Sequence, residues 1–190
     1  MMRTTRLEAF SDGVIAILIT IMVLELRMPE GGDLAALRTV WPTFWAYVLS
    51  FVYLGIYWNN HHHLFHVVEH VSGGILWANL HLLFWLSLVP FVTNWMGDHP
   101  HDSLPTLIYG VVLLCAAISF TILVHVIIYV QGPDSKLKAA VGRDFKGNIS
   151  MAIYVAALLS TFVEHRMAWA LYALVALVWL VPDRRIERVL

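Results

Sequence analysis

Arg6, Ser11 and Asp12 stand at the mouth of Gly13-Val14-Ile15-Ala16-Ile17-Leu18-Ile19-Thr20-Ile21-Met22-Val23-Leu24, a run that otherwise suits lipid. An aspartate inside a span costs roughly 2.5–3.5 kcal/mol on insertion scales, and ionisable residues so placed face a bundle interior or a water path. The helix that carries this charge reads as the inner helix of an ion pore. Ile17, Thr20, Ile21 and Leu24 fall at i, i+3, i+4 and i+7 and share one face, which Phe10 and Gly13 extend toward the charged mouth. Four such faces around an axis would form an apolar constriction with one hydroxyl ring, a geometry that can gate by dewetting. Branched aliphatics at helical spacing also describe ordinary packing, so periodicity alone does not decide. Ser11 and Asp12 add weight to the pore because lipid-facing placement is excluded for them.

Two roles are open to the charged mouth. Asp12 can attract cations, or Arg6, Ser11 and Asp12 can form a buried hydrogen-bond network with His61 or Asn79 that fixes the pore helix. The structural role is favoured, since an arginine beside the aspartate cancels its field locally.

The histidines are the second candidate. His61, His62, His63, His66 and His70 gather near the end of the second span, and His62, His66 and His70 step by four. Imidazoles on one face with Glu69 beside them could bind zinc, which keeps a divalent-metal transporter as an alternative. A polar helix end, where histidine complements the C-terminal dipole, explains the same residues. No cysteine and no second ligand cluster inside a span supports a metal. An integral-membrane di-iron oxygenase would need several histidine boxes, whereas only isolated His81, His125 and His165 accompany the one cluster. Ser11 has no histidine near it in sequence, so no nucleophile–base pair is visible in the first helix. The chain does not read as an enzyme, and no cofactor is expected.

Composition sets the class that must position these residues. The 190 residues are 59% hydrophobic and only 13% charged, against about 25% charged in soluble domains; mean hydropathy is +0.72. Six stretches approach the roughly 20 apolar residues a span needs: 8–26, 39–61, 74–96, 104–131, 147–164 and 166–182. The last two are short and poorly separated, so five or seven spans also fit. Residues 1–190 then form a single transmembrane domain, all-α, in a lipid bilayer. A net charge of −1 gives no case for nucleic acid. The single Cys115 lies in an apolar run and can form no internal disulfide. Glu8 and Asp12 interrupt the N-terminal basic region, and Leu24-Glu25-Leu26-Arg27 offers no small-x-small site, so a cleaved signal peptide is not expected.

Six spans with a cytoplasmic N-terminus put Arg3, Arg6, Lys136, Lys138, Arg143, Lys146, Arg184, Arg185 and Arg188 inside and Arg27, Arg38 and Arg166 outside. That satisfies the positive-inside rule and predicts a multi-pass protein of the cell membrane with both termini cytoplasmic. Trp41, Trp45, Tyr47, Tyr53, Tyr57 and Trp58 of the second span read mostly as belt residues at the headgroups.

Arg6-x-x-x-Phe10-Ser11-Asp12-Gly13 followed by an isoleucine-rich helix resembles the signature of the transmembrane protein 175 family, the lysosomal potassium channel and its bacterial homologues. The likeness continues in Ser50-Phe51 through Gly55, Tyr57-Trp58-x-x-His61-His62-x-x-Phe65, Asn79-Leu80 and Pro90-Phe91, and covers about the first half closely. The resemblance implies passive, potassium-selective conduction of monovalent cations, K+ being the permeant ion, without the carbonyl filter of ordinary potassium channels. No Thr-Val-Gly-Tyr-Gly-like run occurs. It also implies that the first helix lines the pore, with Ile17, Ile21 and Leu24 as the constriction and Thr20 as the hydroxyl ring. Single-unit chains of this kind are expected to assemble as homotetramers, and the single motif here points that way.

Overall fold

The structure, a computed structural model, describes residues 4–68, 70–132, 135, 137–138 and 144–180. Its helices are α1 (Thr4–Leu24), α2 (Leu34–His66), α3 (Gly73–Ser87), α4 (Val89–Asp98), α5 (Ser103–Gln131), α6 (Phe145–Ser160) and α7 (His165–Leu180). Four stretches are long and apolar enough to cross a membrane: α1, α2, the combined Gly73–Asp98 and α5. The 16-residue α6 and α7 are shorter apolar helices, about 24 Å each at 1.5 Å per residue. The expected spans are all present as helices, with α3 and α4 sharing one.

Local chemistry explains the boundaries. The Asp33 carboxylate accepts from Ala36 N at 2.8 Å and caps α2. Ser72 does the same for Ile75 N at 3.3 Å, and Asp144 for Gly147 N at 2.9 Å. Leu88 separates α3 from α4 because Pro90, in the first turn of α4, has no N–H to return to the preceding turn. Gly132 ends α5 at φ 90°, a left-handed conformation glycine adopts without a side-chain clash. Pro29 falls beyond the end of α1 at Leu24.

Helix α1 lies against α2, α3 and α4, while α3 packs on α5, α2 on α4 and α6 on α7. Close approach is built in at two glycines. A Cβ on Gly97 of α4 would sit 2.6 Å from Thr43 Cα of α2, and one on Gly110 of α5 would collide with the Tyr172 ring of α7. Buried polar groups are paired across helices: Thr93 Oγ1 donates to Ser50 Oγ (2.7 Å), and Ser50 Oγ meets the Tyr109 hydroxyl (3.0 Å). The Tyr53 hydroxyl donates to the Tyr172 carbonyl at 2.6 Å, and the Tyr172 hydroxyl to the Thr106 carbonyl at 3.1 Å.

Tyr53 and Tyr57 therefore correct the belt reading of α2. Both are buried within the bundle, whereas Trp41, Trp45 and Trp58 are exposed. A tyrosine can enter a membrane core when its hydroxyl finds a carbonyl, as that of Tyr53 does. Near the ends of α1 and α4, the Arg27 guanidinium meets the Asp98 carboxylate at 2.9 Å, with Arg27 largely exposed.

Candidate functional site

Helix α1 has two unlike faces. Leu7, Ser11, Ile15, Leu18 and Met22 are buried against the bundle. On the opposite side Phe10, Ile17, Ile21 and Leu24 are exposed at 52%, 57%, 39% and 82%, with Thr20 among them. Branched and aromatic side chains thus stand unpartnered along the whole helix.

Thr20 Oγ1 donates to the Ile17 carbonyl at 2.8 Å. Its proton is committed to the backbone, so the oxygen lone pairs are what the hydroxyl presents outward. An acceptor pointing from an apolar stripe suits a cation better than an anion.

The motif residues divide into two groups. Ser11 Oγ donates to the Leu7 carbonyl at 2.9 Å and accepts from Asn79 Nδ2 at 3.0 Å. The Asn79 carbonyl oxygen lies 2.8 Å from His61 Nε2. An amide oxygen only accepts, so Nε2 carries the hydrogen and His61 Nδ1 is left bare, buried and without a partner among the described residues. Ser11, Asn79 and His61 are all essentially inaccessible, and together they tie α1 to α3 and α2 inside the apolar core. His61 also rests on the Phe65 ring at 4.5 Å.

Asp12 belongs to the other group. Half-buried, it accepts from the Trp58 indole Nε1 at 3.0 Å, and Trp58 stacks on His62. Arg6 is exposed and makes no hydrogen bond or ion pair among the described residues. The structure therefore brings Ser11, Asn79 and His61 together, sets Asp12 with Trp58, and leaves Arg6 and Phe10 outward. Trp58 is the participant that sequence reasoning missed. Its place beside Asp12 follows from the packing of α2 on α1, which no spacing within α2 reveals.

The metal alternative loses its geometry. Helix α2 ends at His66, with Val67 as its cap, so His70 leaves the four-residue step that would stack it on His62 and His66. Among the described residues no group of three His, Cys, Asp or Glu side chains could hold a metal ion. Glu69 lies outside the described residues. The zinc transporter is unsupported.

An all-helical bundle with apolar spans, a buried polar clamp on its first helix and an exposed aliphatic stripe defines a multi-pass membrane protein. The chain belongs to the TMEM175 family: the family model described as endosomal/lysosomal potassium channel TMEM175 matches residues 6–90. It is 55% identical over 183 residues to a potassium channel of Chryseobacterium sp. (strain P1-3), covering 96% of this chain and 95% of that protein. Its fold matches the crystal structure of a lysosomal potassium-selective channel TMEM175 homolog from Chamaesiphon minutus. The TM-score is 0.83 at 26% identity, over 95% of this chain and 97% of that one. The human endosomal/lysosomal proton channel TMEM175 is 32% identical over 114 residues, 52% of this chain and 23% of that protein.

Proposed function

We propose that this protein is a potassium-selective channel of the cell membrane, assembled as a homotetramer around a central pore lined by α1, with both termini cytoplasmic. The observation that carries the reading is the outward stripe of Ile17, Thr20, Ile21 and Leu24 on a helix whose other face is pinned into the bundle. Four copies facing one axis give three aliphatic layers and one ring of hydroxyl acceptors. The names of the bacterial relatives and the potassium-selective structural match support the permeant ion.

The mechanism follows from side-chain size. A narrow apolar throat excludes water, and an ion crosses only when the gap admits part of its hydration shell or the wall replaces it. Thr20 supplies that replacement next to the first layer, where Ile17 sets the width. In this arrangement Asp12 sits at the cytoplasmic mouth, where its carboxylate adds negative potential. Conduction is passive, and no bond is made or broken.

Purified protein in a planar bilayer under a potassium–sodium bi-ionic gradient tests the reading directly, with a reversal potential displaced toward potassium expected. The proton is the competing permeant ion, because the animal relatives carry that name. A pH gradient at symmetric potassium should leave the reversal potential at zero. Trimming the first layer with Ile17→Ala, or making it polar with Ile17→Asn, should raise leak in liposome flux and lower the potassium-to-sodium ratio. An unchanged ratio removes Ile17 from the filter.

A further inference from the structure

A small cavity lies between α1, α2 and α4 at the C-terminal end of α1. Met22, on the buried face of that helix, lines it, so the cavity is set apart from the exposed stripe. Its volume is about 10 Å³, room for one water-sized body and nothing larger. The polar side chains of its wall are Glu25, Thr43, Tyr47, Thr93 and Asn94; each carries an oxygen, and none is cationic.

These oxygens are short of partners. Asn94 Oδ1 is buried and makes no hydrogen bond among the described residues. The exposed Glu25 carboxylate makes no hydrogen bond or ion pair among them either, and the nearby Arg27 is held by Asp98 at 2.9 Å. Two hydroxyls have already spent their hydrogens elsewhere. Thr93 Oγ1 lies 2.7 Å from Ser50 Oγ and 2.6 Å from the Val89 carbonyl, and Thr43 Oγ1 donates to Asp98 Oδ1 at 3.4 Å. Lone pairs are what both present to the cavity. A buried amide oxygen without a donor is costly until something positive reaches it. Water answers poorly, because it has two hydrogens to give and finds few donors here for its own lone pairs.

We propose that this cavity binds one dehydrated monovalent cation, potassium or sodium, held by the Asn94 amide oxygen, the Glu25 carboxylate and the hydroxyl oxygens of Thr43, Tyr47 and Thr93. An all-oxygen set suits a hard cation. The single carboxylate balances one positive charge, which selects against calcium, and zinc finds no imidazole or thiolate. Because Glu25 follows Leu24 directly, occupancy restrains the last turn of α1, and loss of the ion releases it.

The test is anomalous scattering from crystals of the full chain soaked in thallium(I) acetate, thallium standing for potassium. A peak should lie in the cavity in contact with Asn94 Oδ1, and Asn94→Leu, which keeps the size and removes the oxygen, should erase it. In detergent, replacing choline chloride with potassium or sodium chloride at constant ionic strength should raise the unfolding midpoint saturably. Asn94→Leu should remove the part of that rise due to this site. Glu25→Gln, an exposed change that keeps the test open if Asn94→Leu does not fold, should weaken the apparent affinity about tenfold, the worth of one charged contact. A response to sodium without a thallium peak assigns the site to sodium. No peak and no response to either salt, or a peak and response unchanged in both variants, overturns the site and leaves a buried water. The readout is occupancy beside α1, so it is decided separately from which ion the pore passes.

Discussion

Asn79 is the residue on which the inner clamp turns. It uses its amide twice, donating to Ser11 and accepting from His61, and all three groups are out of reach of water. Replacing it with alanine leaves an imidazole N–H unpaired in an apolar core, at about 1–3 kcal/mol, and takes one of two hydrogen bonds from Ser11, which still donates to the Leu7 carbonyl. Asn79→Ala should therefore lower the unfolding midpoint in detergent by several degrees, and a midpoint equal to that of the unchanged protein would show that the clamp does not stabilise the fold. Trp58→Phe, which removes the donor to the half-exposed Asp12, should shift the same midpoint by far less, since surface polar contacts contribute little. That Ser11 and Asp12 stand apart from the rest of α1 was legible in the sequence because polar groups stand out in a lipid-compatible run. Their division between two partners was not. Which side of α1 meets α2 and which meets α3 is a matter of packing, and a charge pattern along one helix carries no record of it.

Helices were the more readable level. Hydropathy marked every span to within a few residues on most sides, because the bilayer imposes a length on each. The break at Leu88 escaped that reading, since a proline within a membrane segment does not by itself announce whether the helix bends or restarts. Tyr53 and Tyr57 escaped as well. Aromatic residues are frequent at headgroups, and only the carbonyl of Tyr172 across the bundle shows why Tyr53 turns inward. Glycines provide the sharpest test at this scale. Gly97→Ala forces a methyl toward the backbone of Thr43 and should destabilise by about 1–3 kcal/mol, the range for overpacking. Gly55→Ala meets nothing within 4 Å and should be neutral or stabilise by up to about 1 kcal/mol through helix propensity. Chemical or thermal unfolding of both variants in one detergent decides the pair, and equal losses would refute the close approach of α2 and α4.

In the proposed assembly, α1 is the element that a single copy leaves uncovered. Exposed apolar side chains are unremarkable in lipid, but here they share their stripe with a hydroxyl, and the same helix carries the carboxylate of Asp12. That combination favours water and like helices over acyl chains. Disulfide crosslinking reads the arrangement in the intact membrane. In a Cys115→Ser background, Leu24→Cys should yield oxidised dimers on denaturing gels, while Leu18→Cys, at 6% exposure, should yield none. Crosslinking at Leu18 with none at Leu24 would turn the helix the wrong way round for a pore.

The two ends of α1 are fastened very differently. Three water-excluded residues rivet its N-terminal half to two neighbours, whereas beyond its C-terminal end the tie is an ion pair whose arginine is three-quarters exposed, a weak bond in salt. Met22 still packs on the bundle at 2% exposure, so the part of the helix with most freedom is its last turn. In the proposed pore, widening should accordingly begin at Leu24 and fade toward Ile17, and spin labels at the two positions should give a broad spread of distances at the first and a narrow one at the second.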